Sequence, residues 1–216
     1  MGNGILGFNK KMDNLEHLLQ PYSESDKISL LIRHSNRYDI QPGTDGIDVL
    51  LTEQGKINAS KFGKSLSKYR VNKIITTPVQ RCIETAEYIA KGYGKDIEII
   101  PSDIFGGLHI TDWKLAKDFL NTRGYDDWYQ NIITDTPTPG IRSSAQYKDL
   151  MTNFLVKNTD NEGITIFVSH DVRIIFYHYA LNRTTYTKFS DGINYLSGLI
   201  FKNGQTEHVA KFQYNQ

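Results

Sequence analysis

Two hydrophobic periods divide this chain. Ile28, Leu30, Leu31 and Ile32 make a short apolar run, and similar runs recur in "VNKIIT" (71–76), "IEII" (97–100) and "GITIFVSH" (163–170). Short apolar runs bounded by polar turns predict buried strands. Between them the period lengthens. In "LTEQGKINASKFGKSLSKY" the residues Ala59, Phe62 and Leu66 share one helical face, and Thr52 is placed to cap it. "PVQRCIETAEYIAKGYG" predicts a helix opened by Pro78 and closed near Gly92 or Gly94. "SSAQYKDLMTNFLVKN" and "DVRIIFYHYAL" predict two more, and "NLEHLLQPYSESDK" a short one stopped at Pro21. The tail "YLSGLIFKNGQTEHVAKFQ" reads as a hairpin turning at Asn203-Gly204. Strands alternating with helices predict an α/β domain with a mostly parallel sheet. Residues 101–140 break the pattern. They carry Trp113, Tyr125, Trp128 and Tyr129, and "TPTPG" closes them. We read this stretch as a helical excursion over one edge of the domain, a lid at the sheet rim.

Composition narrows the picture. A chain of 216 residues suits one domain, 1–216, with a core of its own. The formal net charge of +1 offers nucleic acid and membranes no general attraction, so neither is expected as a partner. No apolar run has transmembrane length and the start lacks a signal-peptide pattern, so a cytoplasmic location is expected. Met1-Gly2 hints at myristoylation, but Leu6 stands where Ser or Thr is wanted. Cys82 has no second cysteine to pair with and is expected to pack as a small buried residue. His17, His109, His178 and His208 lack metal-ligand spacing, so no metal and no cofactor is expected.

Candidate chemistry sits where the strands end. The first strand delivers Arg33 and His34. The second ends at Thr77-Pro78 and leads to Arg81, and the last ends in Ser169-His170-Asp171 and leads to Arg173. Ligands bind beyond the carboxyl ends of parallel strands. Neighbouring strands would therefore gather two histidines and several arginines at one rim, together with helix N-termini. That combination suits an anion, and the arginine fork matches a phosphoryl group.

"IRHSNR", "TTPVQRCIETAEYIA" and "VSHD", with "LTEQGKINASKFG" after the first of them, resemble the histidine phosphatase superfamily, its phosphoglycerate mutase-like and acid phosphatase-like branches. The resemblance spans residues 28–181. It implies a three-layer α/β/α sandwich of the phosphoglycerate mutase-like type and a metal-independent phosphohistidine mechanism. It makes His34 the nucleophile and gives Arg33, Arg81 and His170 the phosphoryl oxygens. Arg37 and Asp171 match marks of the acid phosphatase branch, with Asp171 as general acid. Asp103, in "IIPSDIFGGL", is the alternative acid, one residue from the place of the mutase-like donor, where Ser102 falls. The chain departs from the family at two places. Ser35 replaces the usual glycine and is a candidate donor to substrate. Arg142, in "GIRSS", stands where the mutase-like branch keeps a glutamate, and with Arg173 it is a candidate substrate ligand.

The expected activity is hydrolysis of a small phosphomonoester through phosphohistidine. Phosphoglycerate mutase-type transfer and a non-catalytic phospholigand-binding module remain the alternatives. The sequence indicates neither the natural substrate nor the oligomeric state.

Overall fold

The computed structural model describes residues 13–41, 44–182, 192–202 and 205–214. In chain order the elements are β1 (Asp13–Asn14), α1 (Leu15–Leu19), β2 (Lys27–Arg33), α2 (Glu53–Ser65), β3 (Val71–Thr76), α3 (Gln80–Tyr93), β4 (Glu98–Pro101), α4 (Asp103–Gly107), α5 (Trp113–Ile133), α6 (Ser144–Asn158), β5 (Gly163–Ser169), α7 (Asp171–Asn182), β6 (Gly198–Lys202) and β7 (Gln205–Gln213). The strands form one sheet in the order β1-β7-β6-β2-β5-β3-β4. β2, β5, β3 and β4 run parallel. β6 turns antiparallel against both β2 and β7.

β5 is buried at every position, and β2 at all but its ends. A strand covered on both faces has no polar face to alternate with, which is why these two read as unbroken apolar runs. Successive side chains still point to opposite layers. Leu31, Ile75, Phe167 and Leu199 join α5, α6 and α7 in one core. Leu30, Ile32, Ile74, Ile166 and Val168 join α1, α2 and α3 in the other. The result is the expected three-layer α/β/α sandwich on a mostly parallel sheet.

Local signals behave as their chemistry predicts, with two refinements. Thr52 caps α2, its Oγ1 accepting from the Gly55 N–H at 3.0 Å. Ser143 and Gln146 form a capping box at the start of α6. α3 begins at Gln80 rather than at Pro78, and its N-cap Val79 offers no side-chain acceptor. The two candidate closing glycines separate in role. Gly94, at φ 76°, is the left-handed cap. Gly92 lies inside α3, where a Cβ would fall on the Ser60 carbonyl oxygen, and a Cβ at Gly63 of α2 would fall on that of Ile89. These two glycines let α2 and α3 touch backbone to backbone.

Residues 101–140 hold α4 and α5, and α5 is built into a layer. Trp128, Tyr129 and Ile132 of α5 are buried in the same core as Tyr147 and Tyr177. α5 breaks at Gly124, whose φ 81° and ψ 178° are open essentially to glycine alone. Trp113 and Tyr125 stay exposed. Cys82 is fully buried, and Tyr177, His178 and Tyr179 are core residues. The Asn203-Gly204 turn and Met1-Gly2 lie outside the described residues. No described helix is long and apolar enough to cross a membrane.

Candidate active site

The parallel strands deliver their last residues to one rim. β2 ends at Arg33, in register with Ser169 of β5. The His34 N–H then donates to the Ser169 carbonyl at 2.9 Å, so the histidine backbone is held by the neighbouring strand. Thr77 continues β3 and donates its N–H to the Val168 carbonyl. His34, Thr77, Ser169 and His170 are all buried there. The sheet therefore fixes both histidine backbones before any side chain acts.

Hydrogen-bond chemistry assigns the protons on both rings. His34 Nδ1 lies 2.8 Å from the Ser35 carbonyl, which can only accept, so Nδ1 carries the proton. Arg81 Nε, which can only donate, points at His34 Nε2 from 3.2 Å. Nε2 therefore presents a lone pair toward the cleft. Arg81 Nη2 meets His170 Nδ1 at 3.2 Å by the same logic, which places the His170 proton on Nε2. That proton faces Thr77 Oγ1 at 3.2 Å and the Cys82 sulfur at 3.6 Å. Arg81 Nη1 donates to the Gly46 carbonyl at 2.6 Å. One guanidinium thus bridges two neutral histidines and is steadied by the loop after β2.

The electrostatics agree with neutral rings. Burial holds His34 well below the usual imidazole range, and the charges of Arg81, Arg33 and Arg37 push the same way. Burial also lowers His170 strongly, helped by Arg173 and Arg81. Burial pushes the Cys82 thiol up to about 11, which fits packing and not nucleophilic use.

Arg33 sits beside this trio. It pairs with Asp171 at 2.8 Å, donates to the Ile193 carbonyl at 2.8 Å and lies 4.2 Å over the Tyr195 ring. Its Nε is buried without a partner among the described residues. Asp171 accepts the Val172 N–H at 2.8 Å with its other oxygen, at the start of α7. Arg37 donates to the Tyr38 carbonyl, and its charge reaches His34 and Arg81. The charge of Arg173 reaches His170.

Three expected site residues stand apart. Ser35 turns its hydroxyl inward to the Gly55 carbonyl at 2.7 Å, so it anchors the His34 loop to α2 instead of facing substrate. A Cβ at Gly55 would fall on the Asn36 carbonyl oxygen, so a glycine is what lets α2 approach this loop so closely. Arg142 donates to the Leu108 carbonyl at 3.1 Å and braces residues 108–142. Asp103 is exposed on the first turn of α4. The sequence reading also missed Tyr195, Thr77 as the His170 partner, and His109. Only Thr77 carried a signal, its place at a strand end before Pro78.

Burying neutral histidines has a measurable cost in acid. His34, His109 and His170 lie well below 6.5, and His178 falls to about 4. Below pH 6.5 the unfolded chain binds protons that the folded chain refuses. Stability is therefore full above that pH and falls as pH drops toward the folded values, by about 1.4 kcal/mol per pH unit for each histidine. Urea midpoints measured from pH 7.5 down to 5 should fall steeply. A flat profile would mean that the rings are charged in the fold.

Comparison with known proteins adds the family. The model of the histidine phosphatase superfamily (branch 1) matches residues 30–197. A 2,3-bisphosphoglycerate-dependent phosphoglycerate mutase of Thermoplasma acidophilum is 26% identical over 147 residues, 67% of this chain and 70% of its own. The mycobacterial glucosyl-3-phosphoglycerate phosphatase in complex with inorganic phosphate superposes with a TM-score of 0.55 at 18% identity, covering 88% of this chain and 97% of that one. A phosphoglycerate mutase from Bacillus anthracis gives 0.56 at 15% identity, covering 84% and 90%. At these identities the solved structures speak for the shared fold.

Proposed function

The chain belongs to the histidine phosphatase superfamily, branch 1, and on that premise we propose that it is a metal-independent phosphatase acting on a small phosphomonoester through a phosphohistidine on His34. One observation carries the reading: Arg81 donates to both His34 Nε2 and His170 Nδ1, so the nucleophilic lone pair and the anion ligands converge on one point.

The chemistry follows from those atoms. When a phosphoryl group arrives, Arg81 exchanges the histidine acceptors for phosphoryl oxygens, which frees the Nε2 lone pair. That lone pair attacks phosphorus in line, and the ester P–O bond breaks. Arg81 and the unpartnered Nε–H of Arg33 stabilise the equatorial oxygens, and His170 joins them once a proton brought in by the phosphomonoester sits on its Nδ1, with Arg37 and Arg173 adding positive field. A carboxylic acid gives the leaving alkoxide its proton. The resulting carboxylate then takes a proton from water, which attacks the phosphohistidine and releases phosphate. The Ser35 carbonyl holds Nδ1 throughout, so the ring begins and ends neutral.

Asp171 is the acid in this scheme. It is already tied to Arg33, and a phosphoryl dianion competing for that arginine favours its protonated form. Asp103 is the rival. The test uses leaving groups, with EDTA present throughout. Asp171→Asn should lose far more rate on an alkyl phosphate than on p-nitrophenyl phosphate, whose phenolate leaves unaided. The selective loss in Asp103→Asn instead would hand the role to Asp103. Rescue by added Mg²⁺ or Zn²⁺ would overturn the metal-independent scheme.

Hydrolysis is preferred over mutase-type transfer because Arg142, at the place of the mutase-like glutamate, is spent on a backbone carbonyl. A purely binding module is disfavoured because Ser35, the residue that most suggested it, bonds to the Gly55 carbonyl and leaves His34 Nε2 to Arg81 alone among the described residues.

A further inference from the structure

Among the described residues, Arg33 is held from three sides, and two of these holds come from one short segment. Its Nη2 pairs with Asp171 at 2.8 Å. Its Nη1 donates to the Ile193 carbonyl at 2.8 Å, and its central carbon lies 4.2 Å over the Tyr195 ring. The Tyr195 ring also stands 5.7 Å from the His34 ring, so one aromatic surface backs both the arginine and the histidine.

The backbone that carries Tyr195 is bound to the same strand end, and it is strained. Arg33 donates its N–H to the Ser197 carbonyl at 3.0 Å and accepts the Leu196 N–H at 3.1 Å. The Ser197 N–H turns back to the Asn194 carbonyl at 3.1 Å, closing a turn around Tyr195. Leu196 sits in that turn at φ 58°, in the left-handed region, which a leucine occupies only at a cost. Such strain persists where the surrounding structure imposes it. Here Leu196 buries its side chain in the α2–α3 core while Tyr195, one residue earlier, lies over Arg33.

Only one of the three holds changes during the proposed reaction. Asp171 is charged in the resting pair and neutral once it carries the proton meant for the leaving group, so the ion pair is lost while substrate is bound. The Ile193 bond alone leaves the planar guanidinium free to swing about one nitrogen. A ring set against the guanidinium opposes that swing, and its attraction for a cation does not depend on the state of Asp171. We infer that Tyr195 is a positioning residue: its ring, fixed by the strained turn at Leu196, keeps the Arg33 guanidinium aimed at the phosphoryl group when the Asp171 ion pair is released. Tyr195 acts through Arg33 and carries out no step itself.

This inference rests on the phosphatase reading, and its test reads binding instead of turnover. Inorganic phosphate is titrated by calorimetry into the full chain and into Asp171→Asn, which holds the acid's position permanently uncharged. Tyr195→Leu is then made in each, which completes a double-mutant cycle. With the ion pair in place, Tyr195→Leu should weaken phosphate roughly twofold to fivefold. Without it the loss should reach about thirtyfold, the upper end of what a desolvated cation–π contact contributes. Tyr195→Phe keeps the ring and should restore most of the affinity in both backgrounds. If Tyr195→Leu does not fold, Tyr195→Met takes its place. Equal losses in the two backgrounds, or a larger one with the ion pair intact, would reduce Tyr195 to a support of the fold. A loss in Tyr195→Phe as large as in Tyr195→Leu would move the role from the ring to the hydroxyl. Either result overturns the inference and leaves the phosphatase reading standing. Absence of phosphate binding by the unsubstituted chain overturns both.

Discussion

His34→Ala protein should fold and turn over no phosphomonoester. His34 is 2% exposed and its Nδ1–H bond to Ser35 is lost, so some stability goes, about 1 kcal/mol for such a bond. Against that loss, the variant no longer holds an imidazole in the field of three arginines. Neither change touches the sheet. Chemistry is another matter, because no neighbouring group replaces Nε2. Cys82 is buried with its thiol pushed up to about 11, and His170 presents its lone pair to the same Arg81. Removing the nucleophile of a covalent hydrolase costs on the order of a millionfold in kcat. The check has two arms, turnover of p-nitrophenyl phosphate and acid-labile, base-stable phosphate trapped on the protein by rapid quench. Turnover near wild type in a folded His34→Ala protein removes the phosphohistidine scheme altogether.

Arg81→Ala comes second in size. Arg81 carries the link between the two histidines and is anchored at a third point on Gly46. Losing one preorganised donor to a developing oxyanion costs about 2.7–4 kcal/mol, roughly a hundredfold to a thousandfold in rate. Arg81→Lys should recover little of that. An ammonium keeps the charge but lacks the planar fork that spans both rings. Lys61→Ala, on an exposed face of α2, serves as the control and should leave the rate unchanged. Equal small effects from Arg81→Ala and Lys61→Ala would place the guanidinium outside the reaction.

The route from sequence to site was clear at strand ends and obscure in loops. β2 and β5 were visible because strands buried on both faces must be apolar throughout, β3 by its buried Ile74-Ile75 pair, and the residue after each run is delivered to the rim. His34, Arg81 and His170 were legible for that reason. The purpose of Ser35 was not, because it depends on a carbonyl of α2 that sequence separation hides. The same holds for Gly46, which contributes only its backbone oxygen to Arg81, and for Tyr195, which reaches Arg33 across most of the chain. The Trp128 region read as a lid because it was expected to overhang the sheet rim, and its aromatics match no simple period. The break at Gly124 is the physical cause, since one residue outside helical angles resets the phase of every side chain after it.

The backbone contact between α2 and α3 bears on the proposed catalysis at a distance. Gly63 and Gly92 leave no compressible side chain between the two rods, so their relative height cannot drift. Arg81 rides in the first turn of α3, and Ser35 is moored to the start of α2. The proposed nucleophile and anion ligand are thus mounted on two members of one stiff frame, Arg81 about 16 Å along α3 from Gly92 and the Ser35 mooring about 12 Å along α2 from Gly63. A single methyl group at Gly92 would pry that frame open and misalign the guanidinium, in a part of the protein that never meets substrate.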